Sequence, residues 1–407
     1  MTNLPQGWEV KKLEEIANIK GGKRLPKGEN LLDNNTKFAY IRVADFQDNG
    51  TINLQNIKFI NENTYNVLKN YKIYDDNLYV SIAGTIGKSG IIPKELNGAI
   101  LTENAVKLEY IQNNISNKFM YFFTLSSSFK TQIQTSTKIV AQPKLAITRL
   151  KQIEIPLPPL KEQERIVGIL DESFAKIDES IKILEQDLLN LDELMQSALQ
   201  KAFNPLKDNA KENYKLPQAW EWKSLDEICE IVMGQSPNGN CIFNKDKNKD
   251  LIEFHQGKIA FSDKYINKSD FVTSDIRKIA KKNSVVLSVR APVGEVNITS
   301  EDIAIGRGLC SINGIKINNE FLFFYLLTLK KYFNDNSTGS TFKAISTKIV
   351  KETKIPLPPL KEQEQIASHL DELSSHVKNL KQNYQAQIKD LQELKNSLLD
   401  KAFKGNL

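Results

Sequence analysis

Cysteine and histidine are scarce in this chain, which leaves little room for a disulfide framework or a metal centre. The 407 residues contain 3 Cys and 3 His. A disulfide scaffold needs several paired cysteines, and a zinc site needs ligand pairs at short spacing. The spacing offers neither, so we expect incidental or buried thiols and no bound metal. The six residues are Cys229, Cys241, Cys310, His255, His369 and His376.

Long apolar runs are also missing. No stretch of about 18 apolar residues occurs, which is the length that begins to indicate a membrane span. The opening MTNLPQGWEVKKLEE turns polar at once and contains no apolar signal core. We therefore expect a cytoplasmic protein.

Arginine is rare, although the chain as a whole is basic. The formal net charge is +6, a mild excess that permits nucleic-acid binding without requiring it. The complete set of arginines is Arg24, Arg42, Arg149, Arg165, Arg277, Arg290 and Arg307.

A nucleotide-binding loop is disfavoured by a single residue. Residues 83–89, Ala-Gly-Thr-Ile-Gly-Lys-Ser, resemble the end of a phosphate-binding loop, but Ile82 stands where that motif requires glycine. A related segment at 293–296 reads Val-Gly-Glu-Val and lacks the Lys-Ser pair. We expect a turn between two strands at residues 83–89.

What the sequence does contain is an internal repeat. Residues 155–164, Ile-Pro-Leu-Pro-Pro-Leu-Lys-Glu-Gln-Glu, recur unchanged at 355–364. The offset of 200 persists in Leu-Asp-Glu at 170–172 and 370–372, and in Lys-Ala-Phe at 201–203 and 401–403. A second match, at an offset of 212, relates residues 8–16 to 220–228. The halves diverge between these anchors, so the chain alternates variable and constant segments and carries one fold twice.

Each constant segment predicts one long helix. The Pro-Leu-Pro-Pro start cannot be helix interior, and strong helix formers follow it. Apolar residues then recur every three or four positions, a period that indicates a coiled coil. Each helix would hold about 43 residues and span roughly 64 Å. The predicted seams contain Ile177, Ile181, Leu184, Leu188 and Leu191 in the first helix, and Val377, Leu380, Leu391, Leu394 and Leu398 in the second.

One seam needs a partner seam. The chain offers one, so we expect the two helices to pair with each other in antiparallel fashion. Two independent oligomerisation helices are the alternative. Residues 205–216 read as a polar linker.

The variable segments indicate α+β domains. Residues 38–43, 77–82 and 284–289 read as strands rich in β-branched and aromatic residues. Residues 118–129 and 320–333 read as short buried helices. Turns rich in Gly, Asn and Thr separate these elements, and a small, curved sheet fits each segment best.

Polar loops in the variable segments supply candidate DNA contacts. Arg, Lys, Gln and Asn side chains read base edges, whereas Ser, Thr and Lys suit phosphates. For any single residue, a solvated loop or a surface ion pair is the alternative. The candidates are Lys23, Arg24, Arg42, Gln47, Thr85, Lys88, Lys138, Gln142 and Lys144 in the first segment, and Gln235, Ser236, Arg277, Arg290, Arg307, Thr338, Ser340, Thr341 and Lys343 in the second.

Together these features resemble the specificity subunits of type I restriction–modification systems. The resemblance rests on the duplicated decapeptide, on the Leu-Asp-Glu and Lys-Ala-Phe repeats, and on short motifs in the variable segments. It covers essentially the whole chain. The short motifs are Tyr-Ile-Arg-Val at 40–43, Ser-Val-Arg-Ala-Pro-Val-Gly at 288–294, Ala-Ile-Gly-Arg-Gly-Leu at 304–309 and Ser-Thr-Gly-Ser-Thr-Phe-Lys-Ala-Ile at 337–345.

The resemblance implies an α+β architecture of two repeated target-recognition domains with small curved β-sheets, separated by two long antiparallel coiled-coil helices. We expect the first domain at residues 1–154, a spacer helix at 155–204, the linker at 205–216, the second domain at 217–354 and a second spacer helix at 355–407. In that family each domain reads one half of a split, asymmetric target in double-stranded DNA. The helices dock two modification (methyltransferase) subunits, which carry S-adenosylmethionine and methylate adenine, and restriction subunits driven by ATP can join them.

No catalytic site or cofactor is expected on this chain itself. It lacks the Asn/Asp-Pro-Pro-Tyr/Phe motif of amino-methyltransferases and any glycine-rich cofactor fingerprint after a strand. A stand-alone DNA-binding protein is the alternative reading. A coiled-coil scaffold that binds only protein is a further one, but it would leave the Lys-, Arg- and Gln-rich loops unexplained.

Overall fold

A computed structural model describes residues 4–136, 144–203, 216–247, 250–339 and 343–407. The chain divides into two compact units. The first is formed by Met1–Leu184 with Gln385–Leu407, and the second by Glu185–Tyr384. Each unit joins one α+β domain to a stretch of each of two long helices.

The first unit places short strands before and after a helical segment. Its strands are β1 (Glu9–Lys12), β2 (Ala17–Gly21), β3 (Ala39–Ile41), β4 (Lys58–Phe59), β5 (Lys72–Ile73), β6 (Leu78–Ser81), β7 (Ser89–Ile91), β8 (Ala99–Leu101), β9 (Ala105–Tyr110) and β10 (Glu154–Leu157). Its helices are α1 (Leu13–Ile16), α2 (Glu62–Val67), α3 (Asn117–Leu125), α4 (Ser127–Ser136), α5 (Ile147–Leu150) and the start of the long α6 (Leu160–Phe203).

Two small sheets form the body of this first domain. One has the order β2-β9-β6-β7, and the other has the order β4-β3-β8-β5. Strands β3 and β8 run parallel, whereas the other neighbours in these two sheets are antiparallel. Helix α3 packs against β6 and β7 and buries Phe119, Met120 and Phe123.

The second unit repeats this plan. Its strands are β11 (Glu221–Ser224), β12 (Cys229–Met233), β13 (Ile242–Asn244), β14 (Ile252–His255), β15 (Phe271–Thr273), β16 (Ile279–Ala280), β17 (Val285–Ser288), β18 (Val296–Ile298), β19 (Ile303–Ile305), β20 (Leu309–Gly314) and β21 (Lys354–Leu357). Its helices are α7 (Leu225–Ile228), α8 (Asn319–Thr328), α9 (Lys330–Asp335), α10 (Thr347–Glu352) and the start of the long α11 (Leu360–Phe403).

The sheet orders of the second unit match those of the first, except that one sheet carries an additional edge strand, β13. The sheet β12-β20-β17-β18 corresponds to β2-β9-β6-β7. The sheet β13-β15-β14-β19-β16 also contains one parallel pair, β14 with β19, as β3 pairs with β8. The predicted α+β fold, used twice with small sheets, is confirmed.

The two helices predicted at 118–129 and 320–333 are each split in two. Ser126 separates α3 from α4 and has an extended backbone, with φ −68° and ψ 156°. Its hydroxyl donates to the Phe123 carbonyl at 2.7 Å and accepts from the Phe129 amide at 3.3 Å. A serine at such a boundary caps the following helix. Leu329 takes the equivalent place between α8 and α9.

The Ile-Pro-Leu segments, which repeat at an offset of 200, pair with the segments that repeat at an offset of 212. In the first unit β1 lies antiparallel to β10, so that Val10 faces Pro156. In the second unit β11 lies antiparallel to β21, so that Trp222 faces Pro356. The Ile-Pro-Leu repeat is therefore a strand, and the match at offset 212 provides the strand beside it.

A buried glutamine fixes the start of each long helix. In the first unit the side-chain amide of Gln163 donates to the Pro158 carbonyl at 2.9 Å, and its oxygen accepts from the Ser116 amide at 2.8 Å. In the second unit Gln363 makes the same bonds to Pro358 and Asn318, both at 2.8 Å. Because a buried amide must find partners, this glutamine ties the helix to the strand before it and to a domain loop.

Within each unit the two helices run antiparallel. In the first unit Arg165 donates to the Leu407 carbonyl at 2.8 Å, and Lys395 forms an ion pair with Asp178. In the second unit Lys381 pairs with Asp192, and Leu370 shares a core cluster with Phe203. The predicted long helices and their antiparallel packing are confirmed within each unit.

Two residues predicted to lie in the seam of α11 lie outside it in the structure. Leu380 and Leu394 are 40% and 46% exposed, so they lie outside the buried face. Their neighbours Lys381 and Lys395 lie on the inner face instead, and Lys395 places its ammonium 4.9 Å from the Phe174 ring centre. A lysine stem can cover apolar surface while its charge reaches a carboxylate, which a count of apolar residues does not foresee.

The other seam residues occupy the inner faces. Ile177, Leu191 and Val377 are buried, and the rest are half-buried: Ile181, Leu184, Leu188, Leu391 and Leu398. In the part of the chain that the structure describes, none of the helices has both the length and the apolar composition needed to cross a bilayer.

Candidate nucleic-acid interface

The topology of the first domain brings several loops to one edge. Gly21 pairs with Val106 and Ser81 pairs with Ala105, so the ends of β2 and β6 meet the start of β9. Parallel β3 and β8 end at the same place. We call residues 22–24, 82–88 and 102–104 the first loop edge.

The second domain forms the corresponding edge. Met233 pairs with Cys310 and Ser288 pairs with Leu309, so the ends of β12 and β17 meet the start of β20. The amide of Gly306 donates to the His255 carbonyl at 2.8 Å, which places the loop after β14 beside them. We call residues 234–236, 256–257, 289–295 and 306–308 the second loop edge.

Backbone hydrogen bonds align the two edges residue by residue. Gly22 donates to Ala105, and Gly234 donates to Leu309, each at 2.9 Å. The next residues follow suit, with Lys23 bonded to Leu101 at 2.9 Å and Gln235 bonded to Ile305 at 3.0 Å. Position 24 therefore corresponds to 236, and position 103 corresponds to 307.

The glycine at the start of each edge is required by space. A Cβ on Gly22 would lie 2.1 Å from the Thr102 carbonyl oxygen, and one on Gly234 would lie 2.1 Å from the Gly306 carbonyl oxygen. No side chain fits at such distances, so the two segments can approach each other this closely only where one of them has glycine. The crossing holds the two loops of each edge together.

On the first loop edge, Arg24 is exposed and directed by a glutamate. Its Nε donates to Oε1 of Glu103 at 2.9 Å, and the arginine side chain is 81% exposed. Lys23 is exposed, and its Nζ lies 5.8 Å from the Tyr71 ring centre. Lys144 is exposed and pairs through its backbone with Ala83.

Other candidates of the first domain are engaged in local contacts. Arg42 donates to Asp45 through both Nε and Nη2, at 3.0 and 2.5 Å, and Asp45 is only 1% exposed. Lys88 pairs with Asp48 at 2.7 Å. These contacts give Arg42 an evident structural role, because it balances a buried carboxylate.

Two further residues of the first domain flank this region. Thr85 is exposed at the tip of the β6–β7 loop, and its carbonyl accepts from the Ser81 hydroxyl. Gln47 is half-buried in a turn, where its backbone N–H donates to the Thr51 carbonyl at 2.9 Å.

On the second loop edge, three polar side chains form a connected set. Ser236 donates its hydroxyl proton to Oε1 of Gln256 at 2.9 Å. Arg307 donates from Nε to the Ser236 oxygen at 3.3 Å, and it is exposed. Exposed Gln235 directly precedes this set.

Exposed cations continue beside this set. Arg290 pairs through its backbone with Ala344, and the Lys343 carbonyl accepts from the Ala291 amide at 3.0 Å. Both Arg290 and Lys343 are exposed, and neither has an ion-pair partner among the residues that the structure describes. Thr338 is exposed and also pairs through its backbone with Ala344.

Arg277 completes the candidates of the second domain. Its Nε lies 2.7 Å from an Asp275 oxygen, and its side chain is 43% exposed. Lys138, Gln142, Ser340 and Thr341 lie outside the described residues.

Sequence reasoning missed two residues of these edges. Glu103 is acidic, and a search for cationic and amide side chains passes over it. Gln256 follows a strand that the sequence did not indicate. Both become visible only through the strand register, which brings Glu103 to Arg24 across 79 residues and Gln256 to Ser236 across 20.

The side chains of Cys229, Cys310 and His255 are buried in the second domain. Cys229 and Cys310 are buried free thiols, and burial raises the pKa of each to about 12. Burial lowers the pKa of His255, although its hydrogen bond with Glu253 at 2.9 Å opposes that shift. In the described ranges, no group of three or more His, Cys, Asp or Glu side chains is arranged to hold a metal ion.

Comparison with known proteins agrees with this architecture. The family profile described as type I restriction modification DNA specificity domain matches twice, at residues 5–188 and 217–390. The protein assigned as the MjaX type I restriction enzyme specificity subunit of Methanocaldococcus jannaschii is 30% identical over 384 residues, 90% of this chain and 87% of its own. The EcoBI specificity subunit of Escherichia coli is 24% identical over 446 residues, 100% of this chain and 88% of its own.

A solved structure on complex assembly and conformational transition of the type I system contains a chain with 26% identity. It aligns with a TM-score of 0.85 and covers 100% of both chains. The chain therefore belongs to the type I restriction–modification specificity family, as its sequence predicts. Within that family it is a specificity subunit, the non-catalytic component of such systems.

Proposed function

We propose that this chain selects the DNA target of a type I restriction–modification enzyme. Each α+β domain reads one half of a split, asymmetric site through its loop edge. The observation that carries the proposal is that the two domains share both a family and a surface. The family profile matches each domain, and each domain presents the same loop edge with exposed basic side chains. The domain limits of 1–154 and 217–354 remain those predicted from the sequence.

The chemistry of the edges suits duplex DNA. Arg24, Arg290 and Arg307 offer guanidinium groups for base edges, whereas Lys23 and Lys343 offer flexible ammonium groups for phosphates. Since lysine and arginine neutralise phosphates and release counterions, the affinity of the chain for DNA should fall steeply with salt.

The long helices supply a surface for protein partners. Several large apolar side chains on them stand in solvent. A protein partner that covers such side chains removes their apolar surface from water. These side chains are Ile183 (56%), Leu189 (58%), Leu194 (49%) and Leu360 (56%).

We assign this surface to two modification subunits, which carry S-adenosylmethionine, and to restriction subunits where they are present. A complex of this kind works in the cytoplasm, where chromosomal DNA and reduced thiols occur together. Each half of the target should contain an adenine, on opposite strands, because a methyltransferase must take its base out of the stack.

The test is the methylation pattern of a host genome. The full-length chain is co-expressed with the modification subunit of the organism it comes from, in a strain without other adenine methyltransferases. We expect methylated adenines within one motif of two short halves separated by unspecified bases. The chain without the modification subunit is the control and should produce no methylation. Methylation at one continuous motif, or by this chain alone, would refute the proposal.

A further inference from the structure

The two loop edges share an arrangement that the sequence does not reveal. Each holds one exposed arginine through its Nε atom. On the first edge the arginine follows β2 and its holder precedes β9: Arg24 donates to Glu103 at 2.9 Å. On the second edge the arginine precedes β20 and its holder follows β12: Arg307 donates to Ser236 at 3.3 Å. The same two positions are used, with arginine and holder exchanged.

Each holder is itself oriented. Oε2 of Glu103 accepts from the Thr102 hydroxyl at 3.0 Å, and the Glu103 side chain is only 26% exposed. The Ser236 hydroxyl donates to Gln256 at 2.9 Å, which directs its lone pairs toward Arg307. A guanidinium held in this way loses less conformational freedom when it binds a ligand.

The Glu103 carboxylate stays ionised at neutral pH. Burial tends to raise its pKa, but hydrogen bonds from Arg24, its own backbone and Thr102 outweigh burial and leave the pKa below the ordinary value. The bond to Arg24 therefore joins two oppositely charged groups and is stronger than the bond that the neutral Ser236 hydroxyl offers Arg307.

Holding Nε leaves the far end of the guanidinium available. The two terminal nitrogens form a planar fork, and a guanine presents two acceptors, O6 and N7, at matching spacing in the major groove. A phosphate can also accept such a fork, but exposed Lys23 on the first edge and exposed Lys343 beside the second already suit phosphates without a fixed geometry.

We propose that Arg24 and Arg307 each read one guanine, one in each half of the target, and that Glu103 and Ser236 are the positioning residues that aim them. This inference rests on the proposed function. It adds to it a base identity, guanine, and the residues that select that base.

The test uses the full-length chain with its modification subunits and reads the methylated motif of the genome. Arg24→Lys keeps the charge but removes the fork. We expect the guanine at one position of one half to become degenerate, with discrimination at that position falling by about 5- to 150-fold. Arg307→Lys should do the same in the other half only.

The glutamate is tested by its own pair of variants. Glu103→Ala should relax the same position as Arg24→Lys, because the fork is no longer aimed. Glu103→Gln should restore part of the preference, since its amide oxygen can still accept from Nε. A residue with a merely structural role would instead weaken binding to all sequences equally.

Arg165→Lys is the matched control. Arg165 also donates from Nε to a glutamate, Glu162, at 2.8 Å, but it lies in α6 outside the loop edge. Its motif should stay unchanged. An unchanged motif in Arg24→Lys, with affinity lowered uniformly, would assign Arg24 to phosphate and overturn the inference while the proposed function stands. Absence of any split motif with the unaltered chain would overturn both.

Discussion

Removal of one aromatic side chain should detach the end of α11 from the first domain. Phe403 is 5% exposed, and its ring centre lies 5.1 Å from that of Phe119 and 5.4 Å from that of Phe123. Truncating a buried phenylalanine to alanine costs about 3–5 kcal/mol in most cores. The tilted and edge-on ring pairs place this site in the upper part of that range, since each such pair adds about 0.5–1.5 kcal/mol.

Hydrogen exchange is the suitable measurement, because two units make a single unfolding transition unsafe to assume. For Phe403→Ala we expect the amides of the last turns of α11 to exchange up to about a thousandfold faster, which corresponds to about 4 kcal/mol. Amides near Phe203, in the second unit, should keep their rates.

Leu394→Ala in the same helix is the control, since Leu394 is 46% exposed and should change little. If Phe403→Ala changes exchange at the end of α11 by less than about fivefold, roughly 1 kcal/mol, the packing of this helix end is not what holds it.

Three further outcomes are expected. Leu184→Asp with Leu188→Asp places charge on the half-buried seam and should lower the melting temperature; the exposed neighbours Ile183→Asp with Leu189→Asp should leave the melting temperature nearly unchanged, and equal losses of melting temperature would refute the seam. Burial lowers the pKa of His255, so the folded chain stays neutral there while the unfolded chain gains a proton near pH 6.5. Stability should therefore be lost as pH falls through about 6.5, and His255→Gln should show a smaller loss between about pH 7.5 and 5.5 in thermal unfolding; equal losses would contradict this. The double variant Arg24→Ser with Glu103→Arg exchanges the positions of the arginine and its hydrogen-bond partner on the first edge. It should keep the guanine preference in the half of the motif read by the first domain, whereas Arg24→Ser alone should lose that preference.

The repeat made the architecture predictable, because identical residues at an offset of 200 must occupy like environments. The long helices and the α+β domains follow from that pattern. The phase of the second seam was partly wrong, because Leu380 and Leu394 were preferred over Lys381 and Lys395. The repeat contains the information that corrects the phase. Ile181 lies on the inner face of α6, and the residue 200 positions later is Lys381.

The candidate site was predictable only in part. Exposed Arg24 and Arg307 could be selected by residue type, but Arg42 was selected by the same rule and is bound to a buried carboxylate. Glu103 could not be found from the sequence, because its contact with Arg24 depends on the register of β2 against β9. Long-range register is decided by packing across the whole sheet rather than by local sequence.

The most direct measurement of the central claim is an exchange of one domain. Residues 217–354 are replaced by the corresponding segment of a relative with a different target, and the methylated motif is determined with the modification subunits present. If each domain reads its own half, one half of the motif should change to that of the relative and the other should remain as before. A motif that changes in both halves, or in neither, would contradict the account.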